Sequence, residues 1–354
     1  MTTAKYLSIN AIDTLSDDKL STYGTILITG GTGRLGKPLL ERMAQLGFKM
    51  RVAAPDEPLQ HPNIEWIPMD FLTDLDFAKT MDGVTHVLHL GAELWKTETM
   101  DRINCVATEA LVKAAETTGV QYFCYTSSIC VYGSPSKRKV TEENELMPLE
   151  NATRSDYMEN DFLIEYARTK RVGEEKIRLH AEKCKYIILR PTEISWEKDI
   201  LKARKWGLKT RIWRGGRHCH AIYYRDVMNG ILFFLLRSTS QENQHQPGEM
   251  HAFNLSNDDA PNPRFCDFMK MAWEQTGDER YKIPLTTPLW MEYLKEHIKW
   301  KVWQHRFPFG LMYIDPTKLY ATGYRHEFGL EEARRSAIER LRKENAGQLT
   351  PDLT

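Results

Sequence analysis

The sequence carries no net charge, no long apolar run and no clustered cysteine. Lysine and arginine together number 48, as do aspartate and glutamate. No global field therefore draws the chain toward nucleic acid or a membrane surface, and either partner would need a local patch. The longest strongly apolar run, Ile231 to Leu236, falls far short of the ~20 residues that a bilayer-spanning helix needs. Residues 1–24 mix Lys5, Asp13, Asp17, Asp18 and Lys19 through their few apolar positions. They lack the continuous apolar segment of a secretory signal, so a cytoplasmic protein is expected. The six cysteines, Cys105, Cys124, Cys130, Cys184, Cys219 and Cys266, are scattered with no C-x-x-C. That spacing offers neither a disulfide framework nor a zinc site and suits reduced thiols packed as small hydrophobes.

What is present is ordinary globular composition, 42% apolar and 27% charged, over a length that fits one large elaborated domain or two. Thr25 to Thr29 (TILIT) is a short apolar run that ends in a glycine cluster, and Lys37 to Leu46 follows at helical period. The pattern reads as strand, tight turn and helix. Further strands are expected at Met50 to Ala54, Ile64 to Ile67, His86 to Leu90, Tyr122 to Thr126, Tyr186 to Leu189 and His251 to Leu255. Helix-length segments such as Asn104 to Thr117 and Tyr166 to His180 lie between them. This alternation predicts an α/β fold with a parallel sheet covered on both faces. After Arg190-Pro191 the alternation degrades, and residues 257–320 are helical pieces broken by Pro261, Pro263, Pro284, Pro288 and Pro308. The expected organisation is an extension over 1–24, a Rossmann-type doubly wound domain over 25–190 plus 221–256, a smaller discontinuous lobe over 191–220 plus 257–343, and a tail over 344–354.

Glycines 30, 33 and 36 fall between the first strand and the first helix. There Gly30 permits the tight turn, Gly33 lets backbone amides approach a pyrophosphate, and Gly36 allows close helix–strand packing. The phosphates would sit on the helix N-terminus. Tyr166 and Lys170 form the sequence's one Y-x-x-x-K, a spacing that puts both on one helix face. A phenol titrating at ~10 needs roughly 4 kcal/mol of favourable electrostatics to come down about 3 units, and a neighbouring ammonium supplies part of that. Ser128 follows the Tyr122 to Thr126 strand. It would stand at the carboxyl edge of the sheet, where its hydroxyl could bond a substrate oxygen while Tyr166 exchanges the proton.

With these motifs in this order, the chain resembles the extended short-chain dehydrogenase/reductase family from about Thr25 to Leu341. That family includes nucleotide-sugar epimerases, 3β-hydroxysteroid dehydrogenases and dihydroflavonol reductases. The resemblance rests on Thr29 to Gly36, Asp70-Phe71, His89 to Ala92, Asn104 to Thr108, Ser127 to Gly133, Tyr166/Lys170, Arg190-Pro191 and Asp226-Val227. It implies a catalytic Ser128, Tyr166 and Lys170, with Tyr166 and Lys170 also contacting cofactor. Gly30, Gly33, Arg34, Leu35 and Gly36 would hold the phosphates, Asp70 and Phe71 the adenine. Gly91 and Ala92 would flank the ribose-phosphates, Pro191 would lie by the nicotinamide, and Leu90, Thr126 and Asp56 complete the expected cofactor contacts. Asn104 reads equally as a cofactor-site residue and as a helix N-cap. The implied partner is a small molecule, and the family's habit of dimerising makes a homodimer an expected assembly.

Departures from the family pattern bear on cofactor and substrate. NAD-preferring members place an acid at the end of the second strand and NADP-preferring members an arginine. Here Asp56 stands one or two positions late, while Arg34 in the glycine loop could pair with a 2′-phosphate, so NAD and NADP both remain open. Ile129-Cys130 replaces the Asp-Glu of sugar dehydratases, and Thr192-Glu193 and Cys219 replace residues with which epimerases grip a nucleotide. His218 and His220 form an H-x-H pair with no third ligand at useful spacing, so no metal is expected. Residues 198–217 carry eight bases against one acid, and residues 141–165 eight acids against one base. These blocks read as solvated faces, as a lid closing on a rim, or as a rim that recruits an anionic substrate. The leading expectation is an NAD(P)-dependent oxidoreductase acting on a ketone, aldehyde or secondary alcohol. A sugar or nucleotide-sugar epimerase with retained NAD, and an NAD(P)-sensing regulatory protein, are the alternatives.

Overall fold

A computed structural model describes residues 9, 12, 15–150, 161–239, 246–283, 285–300, 306, 307 and 309–350. Among them the strands are β1 (Thr25–Thr29), β2 (Lys49–Ala54), β3 (Ile64–Pro68), β4 (Val84–His89), β5 (Tyr122–Thr126), β6 (Lys139–Val140), β7 (Lys185–Pro191), β8 (Glu193–Ser195), β9 (Ala221–Tyr223), β10 (Met250–Leu255) and β11 (Tyr313–Ile314). Seven of these form one sheet in the order β10-β7-β5-β4-β1-β2-β3, with every pairing parallel. The chain runs outward from β1 in both directions, so the switch point lies between β1 and β4. Ligands of open α/β sheets bind beyond the carboxyl ends at such a point.

Alternation along each strand divides the core in two. Ile26 and Ile28 of β1 pack with Leu39, Leu40 and Met43 of the Gly36–Gln45 helix, and Leu27 faces the opposite layer with Val87, Leu111 and Phe123. The apolar run Ile231 to Leu236 lies in the Tyr224–Arg237 helix and is buried on all sides, as a helix apolar around its circumference must be. Asp226 at the start of that helix is buried, and its carboxylate accepts the amides of Glu327, Phe328 and Gly329. It thereby caps the Gly329–Asn345 helix.

A separate core joins Leu201 and Ala203 to Phe268, Met269, Tyr281 and Ile338. The two-stranded pairings β8-β9 and β11-β6 lie outside the main sheet. The second of them brings residues 312–314 onto Ile129, Val131 and Tyr132, just beyond Ser128. The C-terminal helix runs past the expected boundary at 343, because Glu344 is buried on Arg204 and does not begin a polar tail.

Candidate active site

The glycine turn closes through sterics. Gly30 has φ +71°, and a Cβ there would stand 2.6 Å from the Gly91 nitrogen; one on Gly36 would collide with the Gly30 carbonyl. Only glycine lets β1, the first helix and the end of β4 meet this closely. The Gly33 amide turns back onto the Gly30 carbonyl at 3.1 Å. No side chain caps the helix that follows; its Lys37 amide bonds the Gly33 carbonyl at 3.0 Å and Pro38 has no N–H, so the positive end of its dipole faces the turn. Beneath the turn, the His89 ring bonds Thr29 Oγ1 at 2.6 Å and Thr108 Oγ1 at 2.9 Å. Burial and the nearby Lys170 push His89 down to about 3, so it stays neutral.

Ser128, Tyr166 and Lys170 converge at the carboxyl end of β5. Ser128 Oγ accepts the Cys130 amide at 3.2 Å, and its hydroxyl lies near enough to the Tyr166 phenol to lower that group's pKa. One turn further along the Asp161–His180 helix, Lys170 is buried with its ammonium 4.2 Å from the centre of the Tyr125 ring. Burial pushes Lys170 down to about 7, against the pull of Glu174. Burial also raises the Tyr166 phenol. Both groups thus shift toward their neutral forms, and Ser128 opposes the shift at Tyr166.

Two residues set this geometry. Glu174 accepts Ser127 Oγ at 2.6 Å and binds Arg190 through both oxygens at 3.0 and 2.7 Å. Arg190 also donates to Tyr132, whose hydroxyl donates to Asn254 of β10. Asn104 is not an N-cap. It lies within a wide π-type turn at Asp101–Val106, accepts the Glu93 amide at 2.8 Å and donates to the Glu93 carbonyl and Thr169. The loop after β4 is thus tied to the helix of Tyr166 and Lys170.

The remaining expected residues line the same edge. Leu90 donates its amide to the Thr29 carbonyl, Gly91 donates to Thr29 Oγ1, and Ala92 is partly buried beside them. Leu35 precedes the first helix and packs on the core. Pro191 ends β7. Asp70 is exposed after β3 and accepts the Leu72 amide, while Phe71 packs edge-on against Phe77. Asp56 is exposed after β2. Thr126 Oγ1 is buried with no hydrogen-bond partner among the described residues. An orphaned hydroxyl beside a glycine cradle and an uncapped helix start fits a dinucleotide. Residues 26–246 match the model of the NAD dependent epimerase/dehydratase family.

The chain belongs to that family. The 3β-hydroxysteroid dehydrogenase/Δ5→4-isomerase of Mycobacterium tuberculosis is 24% identical over 91% of this chain and 87% of that protein. The protein y4nG of Sinorhizobium fredii is 33% identical over 37% of this chain, which spans about a third of that relative's length. A short-chain dehydrogenase/reductase superfamily protein from Agrobacterium tumefaciens, solved with bound NAD, superposes with a TM-score of 0.67 at 21% identity, covering 92% of this chain and all of that one.

Away from this site, the charged block reads differently once folded. Arg204 and Arg217 are buried on Glu344 and Glu292, and Arg211 donates to the carbonyls of Glu279, Arg280 and Lys282. These three arginines hold the second core together. Arg34 pairs with Asp199 at 2.7 Å and lies 4.0 Å over the Trp196 ring, which itself stacks on Tyr224. Of the acidic block, residues 151–160 lie outside the described residues. The statement that His218 and His220 lack a third ligand is corrected, because Asp258 lies against both. His220 Nε2 accepts the Gly310 amide, which commits Nδ1–H to Asp258 at 2.8 Å. The arrangement is a hydrogen-bonded pair.

Lys170 carries a stability consequence. Its pKa falls from 10.5 to about 7 on folding, so between those values the unfolded chain holds a proton that the folded one has released. Raising the pH through that window favours the folded state, and the penalty of a buried ammonium is fully present below about 7. Lys170→Met should therefore raise the Tm at pH 6, and the gain should shrink by pH 9. Thermal unfolding at the two values checks this, and a loss of Tm at pH 6 contradicts it.

Proposed function

We propose that this protein is an NAD-dependent oxidoreductase that interconverts a secondary alcohol and a ketone on an apolar, hydroxysteroid-like small molecule. The observation that carries the reading is the convergence of Ser128 at the carboxyl end of β5 with Tyr166 and, one helix turn on, the buried Lys170. Bound NAD supplies the hydride chemistry. Ser128 orients the substrate oxygen, and Tyr166 takes the hydroxyl proton in oxidation or returns it in reduction. Lys170 favours the phenolate in the fraction that is protonated.

The apolar substrate class is supported by the likeness to the mycobacterial hydroxysteroid dehydrogenase and by the lobe of residues 191–220 plus 257–343. There the arginines that could have gripped an anion are spent on Glu344, Glu292 and backbone carbonyls. Thr192 bonds the Leu255 carbonyl, and Cys219 is buried where an epimerase carries arginine. An epimerase would give no net reduced cofactor, and a dinucleotide sensor has no use for all three catalytic residues.

Tyr166→Phe should lower kcat by about 10²- to 10⁴-fold while leaving NAD affinity within about twofold. Stopped-flow turnover with 3-hydroxysteroids and equilibrium titration of NAD measure the two separately, and retained turnover contradicts the assignment. NAD should bind about tenfold tighter than NADP, because the Arg34 guanidinium is already engaged by Asp199. Asp199→Asn should narrow that ratio, and a wild-type preference for NADP would overturn this part.

A further inference from the structure

The Leu289–Trp300 helix takes no part in the site described above. Trp290, Leu294 and Ile298 recur along it at i, i+4 and i+8, which places them in one stripe. They are exposed by 66%, 46% and 58%. Met291 widens the stripe, and Trp213 of the Leu208–Arg214 helix forms the facing wall of a groove of about 550 Å³. A contiguous apolar patch of this kind marks an interaction site, whereas isolated apolar side chains on a surface do not.

Exposed bases stand close to the groove. Lys295 lines it, with its ammonium 4.7 Å from the Trp213 ring centre. Lys209, one turn before Trp213 on the same face, is exposed, as is Arg214. Glu292 is buried, accepting Arg217 at 2.9 and 2.5 Å and Lys295 at 3.4 Å, so Lys209 and Arg214 are the bases of this face that it does not pair.

We propose that this face docks the protein peripherally on an anionic lipid bilayer. Tryptophan seats at the boundary between headgroups and acyl chains, aliphatic side chains bury just below it, and flanking bases reach the lipid phosphates. The negative potential of such a surface complements Lys209, Arg214 and Lys295. The mode is interfacial, since no helix among the described residues is long and apolar enough to cross a membrane. The inference stands apart from the reaction proposed above, because vesicle binding is read without turnover.

The test is co-sedimentation of the full chain with vesicles of phosphatidylcholine alone and with vesicles containing about a third phosphatidylglycerol. Binding to the anionic vesicles should be about tenfold tighter and should weaken as salt is raised. The triple variant Trp290→Ala, Leu294→Ser, Ile298→Ser should lose about tenfold or more in vesicle affinity with unchanged circular dichroism and NAD affinity. Lys209→Glu with Arg214→Glu should remove the preference for anionic lipid. Failure of the wild type to sediment with either vesicle overturns the proposal, as does undiminished binding by the triple variant. A wild type that ignores vesicles but forms a dimer that the triple variant breaks would assign the face to a second copy and overturn the proposal equally.

Discussion

The buried ion pair between Glu174 and Arg190 is the constraint on which the site depends. Both side chains are almost fully enclosed, at 3% and 5% exposure. Two charges withdrawn from water persist only when their geometry is good and their remaining lone pairs and protons are used. Here the carboxylate takes both guanidinium donors and the Ser127 hydroxyl, and the guanidinium spends a further donor on Tyr132. Glu174 lies on the helix that carries Tyr166 and Lys170. Ser127 adjoins Ser128 at the end of β5, and Arg190 precedes Pro191 at the end of β7. One interaction therefore sets the helix against the two strand ends whose side chains must meet. Gly173 next to it allows that approach, since a Cβ there would stand 2.5 Å from the Tyr125 hydroxyl.

The same enclosure sets the electrostatics. In a dry site the neutral form of every titratable group is favoured, and Lys170, His89 and Tyr166 all move that way. Glu174 opposes the trend at Lys170 and holds part of its charge in place. Ser128 opposes it at Tyr166. The two polar partners thus tune the proton carrier and its neighbour from opposite sides.

Most of the fold was legible because its signals are local. β-branched runs, glycine punctuation and helical period mark each strand of the main sheet to within a residue or two. The candidate site was legible because Tyr166 and Lys170 are a helix turn apart and Ser128 follows a strand. What was hidden depends on contacts distant in sequence. Glu174 stood in plain view one turn after Lys170, but its meaning needs Arg190 beside it. Asp258 reaches His218 and His220 only through the fold. Arg204 and Arg217 looked like a solvated rim because no local pattern reveals that Glu344 and Glu292 bury them. The zero net charge that set a membrane surface aside likewise hid Lys209, Arg214 and Lys295 beside an exposed apolar stripe.

The central claim is that Glu174 holds the helix of Tyr166 and Lys170 in register and sustains the charge on Lys170. It is tested most directly by an NMR titration of isotopically labelled lysine in the wild type and in Glu174→Gln, with chemical shifts elsewhere reporting that the variant is folded. The account predicts that Lys170 titrates near 7 in the wild type and lower in the variant, together with a perturbed Tyr166 ring. A Lys170 that titrates at the ordinary 10.5 in the wild type, or that is unmoved by loss of the carboxylate, would contradict it.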